Sequence, residues 1–267
     1  MAIKAFSSVK NFYFFLIISG LFLASCSTYS KKEANTEPIK WEGNWISKDY
    51  LEAIEGNHSP YEIAINQSFY ATELVFLHSK GDSVAVYNGQ QEMAFLPYKK
   101  LGDTLRLKLN QDDFTDITYS REDKTLSFTD KQLNRVYKFV RADSTLIDRT
   151  FEMPIAFPCL VNKYTFEGFW ELYEHNSTKK IVQFDKFGML KGWDKYNTYL
   201  VCVNGDCAAN EDGDVIYLGN QKTSDMYGFH SKGDTITIYG LKQTTLPNEK
   251  PSYKQSQPIG LLVRQKK

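Results

Sequence analysis

The chain has few of the residues that carry enzyme chemistry. Its 267 residues include four histidines, His58, His78, His175 and His230. None has a second histidine or a cysteine at metal-ligand spacing, so no metal is expected. There is no Gly-x-Ser-x-Gly, no glycine-rich phosphate loop and no His-Glu-x-x-His, which removes the enzyme classes built on those motifs. An excess of one charge is also missing, since 32 basic residues face 32 acidic ones. Without a basic cluster there is no electrostatic footprint for nucleic acid, and none for an anionic lipid surface. Helical periodicity is scarce as well, which argues against a helical bundle. The expectation is a protein that is not an enzyme and uses no cofactor.

One long apolar run does stand out, Phe12 to Cys26 (FYFFLIISGLFLASC), preceded by Lys4 and Lys10. Its apolar part is shorter than the roughly 20 residues of a membrane-spanning helix. A basic leader, an apolar core and a small-residue close form a secretory signal. The closing Leu23-Ala24-Ser25-Cys26 resembles the lipobox of bacterial lipoproteins. That resemblance implies a signal peptide over 1–25 and lipidation of Cys26, with the protein held to the membrane through two acyl chains. Cleavage by ordinary signal peptidase is the competing reading, because Ala24 and Ser25 are small. Residues 26–40 read as the lipidated cysteine and a polar tether, whose 14 residues after Cys26 span roughly 20 Å as a coil. Lys31-Lys32-Glu33 faintly resembles the charged export signal of Bacteroidota surface lipoproteins, though it is poorer in acids. The expected location is the cell envelope, at the outer membrane, with both its periplasmic and surface faces open.

From residue 41 the pattern is mainly β. A short helix is expected over Ser47 to Glu55, with Tyr50, Leu51 and Ile54 on one face and Gly56 as its stop. Strands are expected from Tyr61 onward. Thr104-Leu105-Arg106-Leu107-Lys108-Leu109 alternates with period two, leucines inward and cations outward. Aromatic residues make up 15% of the chain, a content that suits barrel or sandwich cores and equally a sugar-binding platform. Residues 143–163 read as a linker, because Pro154 and Pro158 interrupt any central strand. The divisions are a first β domain over 41–142 and a second over 164–267.

The two halves share landmarks in the same order. Gly43-x-Trp45 matches Gly168-x-Trp170, Gly81-Asp82 matches Gly213-Asp214, Gly102-Asp103-Thr104 matches Gly233-Asp234-Thr235, and Val140-Arg141 matches Val263-Arg264. This order suggests a tandem duplication. The pair His78 to Ser83 and His230 to Thr235 does not fit the common offset and reads as convergent turn chemistry. A Gly-x-Trp opening an antiparallel unit of about 100 residues, with an arginine on its last strand, resembles the lipocalin and calycin signature. Gly43 to Leu51 followed by Ser59-Pro60 is also similar to lipocalin-like lipoproteins of Bacteroidota. The resemblance implies an all-β fold of two tandem, small, antiparallel lipocalin-like β-barrels. It also implies barrel-closing pairs, Trp45 with Arg141 and Trp170 with Arg264, in which the guanidinium lies over the indole.

Weaker candidates remain. Cys202 and Cys207 flank Val203-Asn204-Gly205-Asp206, whose Asn-Gly favours a type I′ hairpin with the two cysteines opposed. A disulfide or two buried thiols would suit that geometry, and Cys159 is left over as a buried thiol. Asp112, Asp113 and Asp116 read as a turn rather than a carboxylate pair. Asp206 and Asn210 to Asp214 are rich in oxygen ligands but lack calcium-loop spacing. Asp82-Ser83-Val84, Asp103-Thr104-Leu105 and Asp234-Thr235-Ile236 resemble a short O-glycosylation sequon of Bacteroidota envelope proteins. The expected role is that of an accessory or structural module acting through surface contacts, with an envelope protein as partner. The alternative is a binder of a small hydrophobic or glycan ligand at a barrel mouth.

Overall fold

Strands that alternate inward apolar and outward polar side chains close on themselves in the first half of the protein. The computed structural model describes residues 37–57, 59–66, 71–77, 79, 81–89, 93–130, 134–147, 154–174, 178–203, 213–220, 222–245 and 252–266. In the first half the strands are β1 (Gly43–Ser47), β2 (Glu73–Phe76), β3 (Ser83–Tyr87), β4 (Met93–Leu101), β5 (Thr104–Lys108), β6 (Phe114–Ser120), β7 (Thr125–Asp130) and β8 (Arg135–Arg141). Each pairs antiparallel with the next, and β8 returns to β1 to complete a closed barrel. The β5 pattern shows the cause. Leu105 and Leu107 are buried, while Arg106 points out to a bidentate pair with Asp116 on β6. Trp45, Phe76, Phe128, Tyr137 and Phe139 lead one cluster of side chains that fills the interior.

The second half repeats this order in β9 (Gly168–Glu174), β10 (Lys180–Phe184), β11 (Leu190–Lys191), β12 (Thr198–Val201), β13 (Asp214–Gly219), β14 (Ser224–Lys232), β15 (Thr235–Gln243) and β16 (Tyr253–Arg264). Here β16 returns to β9, and the sheet ends at β11 and β12. Those two ends meet at a single bridge, Met189 with Thr198. Both halves therefore wind up and down in the same sense, and β1 to β8 correspond to β9 to β16. Its interior is again occupied by its own side chains, with Trp170, Phe184, Phe229 and Leu262 among them. The all-β, twin-unit architecture agrees with a lipocalin-like barrel fold. Among the described residues no helix is long and apolar enough to cross a membrane.

Of three helices, two depart from the expected pattern. Helix α1 (Lys48–Asn57) covers the expected segment, but α2 (Pro60–Asn66) follows where strands were expected. Pro60 opens α2, at a position where a missing N–H costs nothing. The segment 143–163 is not a plain linker. After a short 3-10 turn, Ser144–Leu146, it forms α3 (Phe157–Thr165). Pro158, which excluded a strand, lies in the first turn of α3, where its fixed φ suits a helix.

These helices join the halves. α1 and α2 connect β1 to β2 across one end of the first barrel. They share a single core with α3 and the second barrel, to which Tyr50, Ile54, Ile63 and Phe157 all belong. The Tyr50 and Phe157 rings meet edge to face at 4.7 Å. The buried faces of α1, α2 and α3 thus belong to the second barrel's core, apart from the cluster that fills the first barrel.

The topology also revises the duplication landmarks. Gly43-x-Trp45 and Gly168-x-Trp170 open equivalent strands, and Arg141 and Arg264 end equivalent strands. Gly102-Asp103 turns β4 into β5, whereas Gly233-Asp234 turns β14 into β15, the equivalent of β6 into β7. Gly81-Asp82 precedes β3, and Gly213 precedes β13, the equivalent of β5. The two inner landmarks are hairpin chemistry at different corners, because Gly-Asp supplies the same turn wherever one is needed.

Candidate functional site

The same closing knot is tied at one end of each barrel. The Arg141 guanidinium carbon lies 4.4 Å from the Trp45 ring centroid, and that of Arg264 lies 4.2 Å from Trp170. Strand register produces both pairs, since Trp45 opposes Arg141 and Trp170 opposes Arg264. Each indole N–H donates to a carbonyl four residues back, Trp45 to Trp41 at 2.9 Å and Trp170 to Phe166 at 2.7 Å. Each guanidinium then ties down the incoming chain. Arg141 donates to the carbonyls of Glu42 (2.5 Å) and Lys40, and Arg264 to those of Glu167 (2.8 Å) and Thr165 (3.5 Å). Glycine is required at Gly43 and Gly168 by a positive φ of 113° and 131°. A Cβ there would also stand 2.9 Å from Arg141 Nη1 or 3.1 Å from Arg264 Nη1. Such a knot stabilises closure by about 0.5–2 kcal/mol through the cation–π contact, with the hydrogen bonds in addition.

Beside each knot sits an aromatic trio. In the first barrel it is Trp41, Phe76 and Tyr98, with ring centroids 6.3 Å and 5.9 Å apart in sequence. In the second it is Phe166, Phe184 and Tyr199, at 5.1 Å and 5.0 Å. The positions are equivalent by register. Phe76 opposes Gly43 as Phe184 opposes Gly168, and Tyr98 N–H donates to Asp82 (2.8 Å) as Tyr199 N–H donates to Gly188 (2.7 Å).

The surroundings of the two trios differ. In the second barrel α3 lies over this end: its Asn162 amide donates to the Lys186 carbonyl at 3.1 Å, and Phe166 ends the helix. The Tyr199 hydroxyl donates to the Asp185 carbonyl at 2.6 Å and is buried. In the first barrel the trio borders an open cleft of about 160 Å³, rimmed by Glu42, Asp82 and Lys100. Partial burial, with the nearby Asp82 and Glu42 carboxylates, raises the Tyr98 phenol above its usual range.

Two buried carboxylates hold the barrels together. Glu73, on β2 and fully buried, accepts from the Asn44 amide (2.5 Å) and from the backbone N–H groups of Ala156 (2.9 Å) and Phe157 (2.9 Å). It thereby caps the start of α3, which belongs to the second half. Asp214, on β13 and 4% exposed, accepts from the Tyr61 N–H at 2.7 Å and from the Ser59 hydroxyl. It caps the start of α2, which belongs to the first half. Burial pushes both pKa values up to about 7, against the pull of these donors. The Tyr164 hydroxyl of α3 also donates to Glu55 of α1. Glu73 did not stand out in the sequence, and Asp214 did so only as a turn landmark and as the end of an oxygen-rich stretch. The available signals were a glutamate inside the strand Glu73-Leu74-Val75-Phe76 and an aspartate directly after a glycine.

Of the remaining sequence candidates, Cys26 and Cys207 lie outside the described residues, as do His58, His78, His175, Asp206 and Asn210 to Asp212. Cys202 is disulfide-bonded. Cys159 is buried and takes part in no disulfide. Asp112 and Asp113 lie in an exposed turn, their N–H groups donating to the Asn110 side chain. Among the described residues no group of His, Cys, Asp and Glu is placed to hold a metal ion. The comparison with known proteins returned nothing: no family model, no curated protein and no solved structure matches this chain.

Proposed function

We propose that this protein is a lipocalin-like lipoprotein of the Bacteroidota cell envelope, anchored at the outer membrane through Cys26 and serving as an accessory module. It carries out no catalysis and acts through surface contacts with another envelope protein. The observation that carries this reading is the filling of both barrels by their own side chains. A barrel of eight strands is just wide enough either to be filled in this way or to hold one small ligand. The sequence from Phe12 to Cys26 supports the anchor, and the polar residues that follow support a tether.

Native mass spectrometry of the protein purified from its own envelope tests the proposal. A co-purifying protein is the expected result. A stoichiometric lipid or glycan inside either barrel would overturn it in favour of ligand carriage at a barrel mouth. The anchor is tested separately by Cys26→Ala, which should abolish labelling with a fatty-acid analogue and release the protein from membranes. Persistent labelling would remove Cys26 from the proposal.

A further inference from the structure

We infer that the turn between β11 and β12, Gly192 to Asn197, is a gate at the end of the second barrel away from its knot, opening while the sheet around it stays folded. The inference goes beyond the accessory reading above and does not depend on it. Its cause is the seam beneath the turn. Gly188 and Gly192, each at a φ of 84°, turn the chain out of extended conformation at both ends of β11, which is left two residues long. Among the described residues β11 and β12 then meet at one bridge, Met189 with Thr198. Two backbone bonds form it, from the Leu190 N–H to Asn197 (2.9 Å) and from the Tyr199 N–H to Gly188 (2.7 Å). The equivalent strands of the first barrel, β3 and β4, pair along their length from Ser83 with Pro97 to Tyr87 with Met93.

Side chains supply what the seam lacks. In the tip Trp193-Asp194-Lys195-Tyr196 the two rings are 5% exposed and belong to the same core as Leu172 and Leu218. The Asp194 and Lys195 side chains between them are 83% and 63% exposed. On one side of the tip the Trp193 indole N–H donates to Glu174 of β9 at 3.1 Å. Lys180 of β10 pairs with that same Glu174 (3.1 Å) and with Asp194 (3.0 Å). On the other side the Tyr196 hydroxyl (2.8 Å) and the Lys195 ammonium (3.0 Å) both donate to Asp225 of β14.

These latches reach water, so each holds weakly and is weakened further by salt. The foot of the seam is firmer. Asn162 of α3 donates to the Lys186 carbonyl (3.1 Å), and the buried Tyr199 donates from its hydroxyl to the Asp185 carbonyl (2.6 Å). A hairpin clamped at its foot and latched at its tip by exposed pairs opens at the tip. Opening lifts the Trp193 and Tyr196 rings out of the core and parts the wall of the second barrel alone.

Residue-resolved hydrogen exchange on the purified full-length protein tests the gate. The amides to follow are Leu190, Tyr196, Asn197 and Tyr199, each bonded to a backbone carbonyl in or beside the seam. They should exchange at least about tenfold faster than the amides of β3 and β4, at a rate indifferent to denaturant below the unfolding transition. Salt at about 1 M should speed them by about threefold. Asp225→Ala should speed them by about tenfold, and Trp193→Phe, which keeps a ring but loses the N–H, by about threefold. The amides of Phe229 and Leu262 in the same barrel should stay protected in both variants, which also shows that the variants fold. Exchange of the four amides only through global unfolding, with its full denaturant dependence, would overturn the gate. So would equal acceleration of every amide in the second barrel, or indifference to both salt and substitution. If a variant does not fold, the denaturant and salt series on the unmodified protein still decides.

Discussion

The two barrels share one lock and differ in how their sheets close. Each is locked by a glycine, a tryptophan and an arginine in one register, with guanidinium-to-ring distances of 4.4 Å and 4.2 Å. Beyond the lock they diverge. The first barrel is closed by continuous ladders, whereas the second closes β11 to β12 by one bridge and carries α3 beside its aromatic trio. The lock and the ladder closure are thus separable properties of this fold. The knot depends on residues adjacent in register, and the second barrel keeps it with only one bridge between its outer strands.

The comparison can be broken most directly at the tryptophans. Trp45→Ala and Trp170→Ala should each cost about 3–5 kcal/mol in urea unfolding, with values close to each other. A gap of more than about 1 kcal/mol would show that the knots are not energetic equivalents. Next in size is the pH response of the joint. The carboxyls of Glu73 and Asp214 are raised to about 7 from ordinary values of 4.5 and 3.8. The folded protein thus keeps protons that the unfolded chain releases. Their contribution is fully present below about pH 4 and is lost as pH rises through 7, on the order of 3 kcal/mol for each group. Glu73→Gln should flatten its share of that decline between about pH 4.5 and 7, measured as denaturation midpoints across pH. An unchanged slope would remove Glu73 from the titration.

Smaller effects sharpen the knots themselves. Gly43→Ala and Gly168→Ala should each cost about 1–3 kcal/mol, through an unfavourable φ and a clash with the guanidinium. Thermal melts of the two variants should fall together. Least costly is replacement of the arginines by lysine, about 1 kcal/mol each, because an ammonium keeps the charge but loses the planar fork. Arg264→Lys should cost more than Arg141→Lys, since burial already disfavours the charge on Arg264 and pulls its pKa down. The reverse order in chemical denaturation would contradict the burial argument.

The knots were legible in the sequence because each is a short-range pattern with a physical cause. Gly43 and Gly168 serve a backbone that other residues resist, and Trp45 and Trp170 follow at fixed spacing. The strands were legible where one face is wet, as at Leu105-Arg106-Leu107. α2 and α3 were not: Pro158 argues against a strand without announcing the helix that it opens, and Pro60 enters the sequence reading only through the lipoprotein resemblance. The capping acids were the least legible. Glu73 meets Ala156 and Phe157 from 83 and 84 residues away, and Asp214 meets Tyr61 across 153. No local pattern announces such a partner, because its meaning exists only after both halves have folded.

Reciprocal capping also has a consequence for how the molecule counts as one or two. Each half donates a carboxylate to a helix that the other half needs, so neither surface is finished alone. A chain severed between Ile147 and Pro154 would keep every one of these contacts. Its pieces should find each other again at a rate set by their concentration. In that sense the protein is a heterodimer whose subunits are kept at a fixed ratio by sharing one polypeptide.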